Sequence, residues 1–468
     1  MEGTTKTVMI QNRFGTLNTA LLRSMFKFAM PIMAMNLLQL LFNAADMIVV
    51  GQFEGSKALA AVGATGSLIN LIINLFMGLS VGTAVVVARD YGARRVEGIR
   101  QSVHTSIAVS MVTGVVVAFL GIVLSTPLLH MMGTPSDIIH LSTLYMKIFF
   151  VGVPASMVYN FGAAILRAVG DSTRPMYFLT VSGVVNVVLN VVFVAVLRWG
   201  VAGVAWSTVI SQYLALALIL ASLSKSEGPL RFNWRRLKIH GEKMQEIVRI
   251  GLPAGLQSLL FSISNVLIQS AVNSFGSVMV AASAAAGNVE GLVGTTVNSY
   301  YNAAITYTGQ SMGAEDYDQI DEIAKISTLF VFATWIVLGG VTVLFGRSLL
   351  SLYTTNPEVI DLGMVRLKVM MAVYFSAGVM NVFPGLTRAM GYSVLPMLST
   401  LFGACICRIL WLVTVFRWYP TMMVLFMAYP VTWVLAGIGQ LISFFYARRQ
   451  IRRRASLPEG SAEGTCSV

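Results

Sequence analysis

Charge is what this sequence has least of. Asp, Glu, Lys and Arg together make up 11% of its 468 residues, less than half the roughly 25% of an ordinary soluble domain. Such a chain cannot coat a water-facing surface, which excludes a soluble globular enzyme. Cysteine is nearly missing: Cys405, Cys407 and Cys466 are too few for a disulfide framework, and two of them fall inside an apolar run, so a thiolate metal site is not expected either. His104, His130, His140 and His240 follow no H-E-x-x-H or similar spacing, and the run from Gly51 to Gly63 lacks the G-K-[ST] ending of a phosphate loop. No nucleotide motor is visible, and no nucleophile, metal or acid–base cluster that an enzyme would need. The polar N-terminus has no short apolar core followed by a small-residue cleavage site, so the first hydrophobic segment is expected to stay in place as a membrane helix.

What is abundant is apolar sequence, 56% of the chain, with a mean hydropathy of +0.75. Apolar runs of about 20 residues cross the hydrocarbon as helices, whose backbone groups are satisfied internally. Runs bounded by charge or by Gly and Pro predict twelve spans, at residues 25–50, 58–88, 102–124, 141–164, 177–197, 202–224, 246–272, 278–308, 323–345, 359–386, 393–416 and 421–446. The expected fold is an all-α polytopic membrane protein. An even count puts both termini on one side, and Lys and Arg concentrate in the termini and the loops sharing that side. Only Lys57, Arg198, Arg347 and Arg417 fall in the opposite loops, so both ends are expected in the cytoplasm. The loop 309–322 dissents with Glu315, Asp316, Asp318, Asp321 and Glu322, although acids weigh little in that rule. The net charge of +12 is spread through these loops rather than gathered on one exposed face, so no nucleic-acid partner is expected.

A basic linker, 225–245, divides the chain near its middle. Sliding the second half over the first by 221 residues pairs Gly92 and Ala93 with Gly313 and Ala314, Asn160 with Asn381, Arg167 and Ala168 with Arg388 and Ala389, and Gly170 with Gly391. Pro175 and Met176 pair with Pro396 and Met397, and Pro31 with Pro253 one residue off that register. The chain therefore reads as an N-lobe (1–224), the linker, a C-lobe (246–446) and a tail (447–468), basic and then polar. Six helices per copy is an even number, so both copies enter the membrane in the same sense, related by a pseudo-two-fold along its normal with a central cavity between them.

Ionisable groups at membrane depth are costly and are functional candidates by default. Of the acids only Asp46 and Glu290 fall deep inside the predicted spans, Glu246 and Asp361 lying within the first turn of theirs. Asn36, Gln39, Asn43 and Asp46 recur as one stripe of the first helix, which must face protein or water. The second lobe copies the stripe as Ser258, Ser262, Asn265 and Gln269, without an acid. Ser67, Asn70 and Asn74 in the second helix, Asn186 and Asn190 in the fifth, and Gln257 and Asn298 in the C-lobe complete the polar candidates. Amide oxygens beside a carboxylate bind a hard cation or stabilise the carboxylate between protonation states. Interhelical hydrogen bonding alone accounts for many such Asn and Ser residues, but it does not require the carboxylate of Asp46. Glu290 has an alternative too, pairing with Arg366, Lys368 or Arg408. The 26 Met and 25 Phe suit a promiscuous pocket as well as lipid-facing packing.

Taken in order, Asp46-Met-Ile-Val-Val-Gly51, Leu59-Ala-Ala-Val-Gly63, Gly92-Ala93, Leu166-Arg-Ala-Val-Gly-Asp171, Asn186-Val-Val-Leu-Asn190, Gly200-Val-Ala-Gly203, Gly309-Gln-Ser-Met-Gly-Ala314 and Thr387-Arg-Ala-Met-Gly391 resemble the multidrug and toxic compound extrusion (MATE) transporters, from Arg23 to about Arg449. The resemblance implies a bacterial inner-membrane antiporter, without cofactor and expected to act as a monomer among membrane lipids. It would export amphipathic or cationic organic compounds against inward H⁺ or Na⁺. By motif, Asp46 matches the family's helix-one carboxylate, and Tyr145, Asn160, Asn186 and Thr208 match positions of the N-lobe cation site of some members. Asn190 stands where those members carry a second Asp. One charge fewer weakens any sodium site at Asp46 and Asn186 and makes protonation of Asp46 the simpler coupling. Phe261 stands where one branch has a Glu, so the chain looks more like the DinF-like branch. A flippase for lipid-linked sugars, from the same wider superfamily, is the alternative. It would be expected to show extra helices and several cavity-facing Arg.

Overall fold

The structure is a computed structural model that describes residues 18–456 and, within them, every side chain except those of Ser56 and Ser67. The rest of the N-terminal segment, Cys466 and the polar end of the tail lie outside the described residues. Among the described residues there is no β-strand. The long helices are α1 (Thr19–Phe53), α2 (Gly55–Gly92), α3 (Val96–Met131), α4 (Ile139–Ala168), α5 (Thr173–Val196), α6 (Gly200–Lys225), α7 (Gly241–Asn273), α8 (Ser277–Gly313) and α9 (Tyr317–Leu344), then α10a (Pro357–Ala372) with α10b (Tyr374–Ala389), α11 (Val394–Trp418) and α12 (Met422–Ala455). Eleven are individually long and apolar enough to cross a membrane, and α10a and α10b, bent by 56° about Val373, make a twelfth when counted as one span.

Local chemistry sets where these helices begin and end. Asn18 caps α1 by accepting the Leu21 N–H at 3.1 Å, Asp316 caps α9 by accepting the Gln319 N–H at 3.1 Å, and Asn356 and Thr421 do the same for α10a and α12. Gly170 and Gly391, equivalent in the two repeats, terminate α4 and α10b with φ of +95° and +98°, a region that L side chains rarely adopt. Several helices run past the predicted spans: α4 to Ala168, α10b to Ala389 and α12 to Ala455. Hydropathy marks the hydrocarbon, whereas a helix continues through the interface for as long as its backbone groups find partners. The dissenting acidic loop is explained by the same extension. Asp321 is paired with Arg448 and, at 2.8 Å, with Arg452, which also reaches Asp318 at 2.7 Å.

The lobes meet along a seam of missing side chains. An ideal Cβ on Gly255 of α7 would fall 2.0 Å from the Leu75 carbonyl oxygen of α2, and one on Gly82 of α2 would fall 2.2 Å from the Ile247 carbonyl oxygen of α7. A Cβ on Gly92 would likewise fall 1.9 Å from the Gln310 carbonyl oxygen of α8, and one on Gly313 2.0 Å from that of Arg89. The backbones touch directly, as small residues allow between membrane helices. Every one of these contacts lies in the second half of α2, the first half of α7 or the last turns of α8, so the seam closes the end of the bundle where α1 starts and α12 finishes.

Two reciprocal side-chain-to-carbonyl contacts tie that end. Arg89 donates to the Ala389 carbonyl at 3.0 and 2.8 Å, and Gln310 donates to the Ala168 carbonyl at 2.8 Å. Arg89 and Gln310 are equivalent positions of the repeat, as are Ala168 and Ala389, so each lobe satisfies an orphan carbonyl at a helix end of the other. Lys243 of α7 adds an ion pair to Asp90 of α2 at 2.8 Å.

One helix belongs to both lobes. Leu21, Met25, Phe28, Ala29 and Ile32 of α1 are buried in a core made otherwise of C-lobe residues, including Val297 and Tyr300. Val49 and Val50 at its far end are buried with Ile69, Met146 and Val204 of the N-lobe.

Candidate functional site

Beyond the seam the walls part and enclose a cavity of about 1110 Å³, above the range of about 300–1,000 Å³ usual for a small-molecule pocket. It is floored near Ala84, Arg167 and Arg388 and extends past Asp46 and Gly63. Gln39, Asn43, Gly63, Asn70, Ser258 and Asn298 on its walls are exposed, so it opens at the end opposite the seam. Asn36, Asn74, Gln257, Tyr145, Asn160 and Thr208 also line it.

The N-lobe wall is organised around Asp46. Asn190 donates its amide to Asp46 Oδ1, and Ser207 of α6 donates to the amide oxygen of the same Asn190. Ser207 and Asn190 are fully buried, and Asp46, half-buried, faces the cavity. A relay therefore runs from α6 through α5 to the carboxylate, and it fixes the Asn190 amide with its N–H toward Asp46 and its oxygen turned away. Directly after Asn190 the helix widens into a π turn, Val191–Val196, a local feature found mostly at functional positions. Asn186, one turn earlier, donates to Thr208 at 3.4 Å rather than to Asp46. Asn186 and Asn190 thus sit behind the wall, while Tyr145, buried and stacked on Phe149, and Asn160, bonded to the Ser156 carbonyl at 2.8 Å, form its surface.

On the C-lobe side the expected polar stripe is split. Ser258 and Ser262 line the cavity, but Asn265 does not: it accepts from Arg408 at 2.6 Å. Gln269 turns outward to Asn273 at 3.0 Å. Glu290 is also not a cavity residue. It is clamped by Arg366 at 3.0 and 3.1 Å, a bidentate pair inside the lobe. Arg408, completely buried, is held by Thr432, Ser264 and Asn265 between the rings of Tyr429 and Phe261. These buried charges pair within the lobe and hold its helices together, because an ion in hydrocarbon must find its partners in protein. Asn36 bridges the lobes, donating to the Thr295 carbonyl of α8 at 3.2 Å.

Arg167 and Arg388 are the cavity residues that sequence reasoning placed elsewhere. Predicted spans ending at 164 and 386 left both in loops, whereas α4 and α10b carry them in their last turns, at the cavity floor. The signal was present in the repeat alignment, which pairs them. Among the described residues no group of three or more His, Cys, Asp or Glu could hold a metal ion.

A two-lobed membrane bundle with a polar cavity closed at one end is the form of a carrier. The MatE family model matches the chain twice, at residues 31–192 and 253–414, each match beginning at one of the paired prolines, Pro31 and Pro253. The chain belongs to the MatE family and is a membrane transporter, not an enzyme. It is 29% identical over 392 residues to the probable multidrug resistance protein YoeA of Bacillus subtilis, covering 81% of this chain and 84% of that protein. It is 22% identical over 439 residues to the FAD transporter of Shewanella oneidensis, covering 92% and 96%. Its fold is shared with the MATE transporter VcmN of Vibrio cholerae in its bent form, with a TM-score of 0.85, 22% identity and coverage of 94% and 99%.

The position of Glu290 generates a prediction. Glu290→Gln leaves Arg366 buried without a counter-charge, a loss of about 3–5 kcal/mol, so the melting temperature of the purified protein should fall while substrate binding in the cavity persists. Binding lost at an unchanged melting temperature would contradict this assignment.

Proposed function

We propose that the protein is a proton-coupled antiporter that expels amphipathic and cationic organic compounds, multiple drugs among them, from bacterial cells by alternating access. The observation that carries this reading is that Asp46, the one acidic side chain lining the cavity among the described residues, sits on the helix that both lobes share. The multidrug names of relatives such as YoeA support the substrate class. The basic loops at the closed end support a cytoplasmic seam and an outward opening in the inner membrane.

Proton coupling is favoured over sodium by the donor set. Asn190 presents an N–H, not an oxygen, to Asp46. Asn186 spends its amide on Thr208, so the arrangement solvates an anion and offers a cation one carboxylate. With substrate in the cavity, Asp46 is ionised and held by the amide. A proton arriving from outside neutralises it and lowers the penalty of enclosing that residue, which favours repacking of α1 about Pro31 and release of the substrate. A membrane potential of 100 mV contributes about 2.3 kcal/mol per charge moved, and one pH unit about 1.4 kcal/mol.

Flipping of lipid-linked sugars is the second reading, favoured by the two floor arginines and disfavoured by the lack of helices beyond the twelve among the described residues.

Efflux of ethidium from proteoliposomes under an imposed pH gradient should be abolished by Asp46→Asn at normal folding and insertion, and efflux at the wild-type rate would refute the coupling role. Asn190→Asp restores a second anionic ligand and should confer stimulation by a sodium gradient. An unchanged ion preference would count against this account of position 190.

A further inference from the structure

The cavity is lined by three charged side chains: Asp46 on the N-lobe wall, and Arg167 and Arg388 on the floor. Tyr145, on the wall with Asp46, and Arg167 stand on the same helix, separated by about 30 Å of it at 1.5 Å per residue. A carboxylate that distant, across water, does not neutralise the floor, since the Debye length is about 8 Å at physiological ionic strength. A cavity evolved for cations alone has no use for a cationic floor.

The arginines are also not needed to hold the structure closed. Each lies in the last turn of its helix, where the carbonyl ends offset part of its charge, yet the carbonyls of Ala168 and Ala389 are taken by Gln310 and Arg89. The Arg167 side chain makes no hydrogen bond or ion pair to the described residues. Arg388 is 5% exposed and is fixed in orientation by Tyr301, which accepts from it at 2.5 Å, and by Gln257, while its Nε–H has no partner. One guanidinium is rigid and under-satisfied and the other is free, and the duplication sets them at equivalent places in the two lobes.

We propose that Arg167 and Arg388 form an anion-receiving floor, and that the favoured substrates are amphiphiles bearing a carboxylate or phosphate at one end and a cationic or apolar body at the other. Guanidinium groups recognise both anions through paired N–H donors. The body extends toward Asp46 and the amide-rich walls. This deepens the export reading and rests on it only for the direction of travel.

The test is equilibrium binding to the full chain in detergent, with no gradient, so that a failure of transport and a failure of this site are distinguishable. The probes are rhodamine B, which carries a free carboxylate, and its ethyl ester, which keeps the cationic ring system. Wild type should bind rhodamine B about tenfold more tightly than the ester, the size of one charge-assisted interaction. Arg167→Gln should bring the ratio close to one by weakening rhodamine B alone, and Arg167→Lys should keep most of the preference. Arg167 is the position to change because its side chain holds nothing in place. Lysophosphatidylglycerol competing with rhodamine B only when Arg167 is present would assign the same floor to a lipid phosphate. Equal affinity of wild type for the two dyes, or an equal loss of both in Arg167→Gln, would overturn the proposal.

Discussion

The architecture depends on the contact between two helices without side chains. Along Gly78, Gly82, Gly251 and Gly255 the backbones of α2 and α7 approach so closely that a Cβ at any of the four would meet main-chain atoms within 3 Å. Without a hydrophobic driving force between helices in lipid, close packing and hydrogen bonds must hold such an interface. Its gain is confined to one end, so the same residues that bring the lobes together there let the polar walls diverge at the other. The seam is also thinly bonded: two reciprocal carbonyl caps, the Thr306 hydroxyl on the Arg167 carbonyl and the Asp90–Lys243 pair are contacts that water and alternative partners could replace. A closed end built on close backbone contact, a small apolar cluster of Val85, Val86, Ile247, Ile250 and Ile305, and few polar links is suited to opening.

Duplication supplies the scaffold, and divergence supplies the chemistry. The two repeats retain the helix-ending glycines, the paired prolines and the two floor arginines, whereas the relay from Ser207 through Asn190 to Asp46 has no copy among the described residues of the C-lobe. There the equivalent space is occupied by internal pairs, Glu290 with Arg366 and Arg408 with Asn265. The N-lobe keeps its acid, Asp46, at the cavity, and the C-lobe locks its own, Glu290, away. The helix bearing Asp46 begins in the C-lobe core and ends in the N-lobe core.

The twelve spans and the repeat were legible in the sequence because lipid imposes a composition on whole segments and because paired motifs hold one offset. The polar stripe of α1 was legible for a similar reason, since helical spacing puts Asn36, Gln39, Asn43 and Asp46 on one face. What was not legible depends on where helices end and which way they turn. Arg167 and Arg388 were hidden by boundaries drawn a few residues short, where apolar sequence gives out but the helix does not. Glu290 and Asn265 look like cavity residues by period alone; the sequence offered Glu290 three basic partners, and packing selects Arg366 for it and Arg408 for Asn265. Asn186 and Asn190 share a face, yet one reaches Thr208 and the other Asp46, a difference of one helical turn that no pattern encodes.

Alternating access, as proposed for this protein, requires the glycine seam to separate during each cycle. An ideal Cβ on Gly309 of α8 falls 2.7 Å from the Cβ of Ala88 on α2, near enough for a disulfide after a slight adjustment. In a chain whose native cysteines are replaced, the pair Ala88→Cys and Gly309→Cys should cross-link on oxidation, abolish counterflow of labelled substrate in proteoliposomes, and recover it on reduction. Counterflow at the uncross-linked rate with the disulfide fully formed would contradict the account.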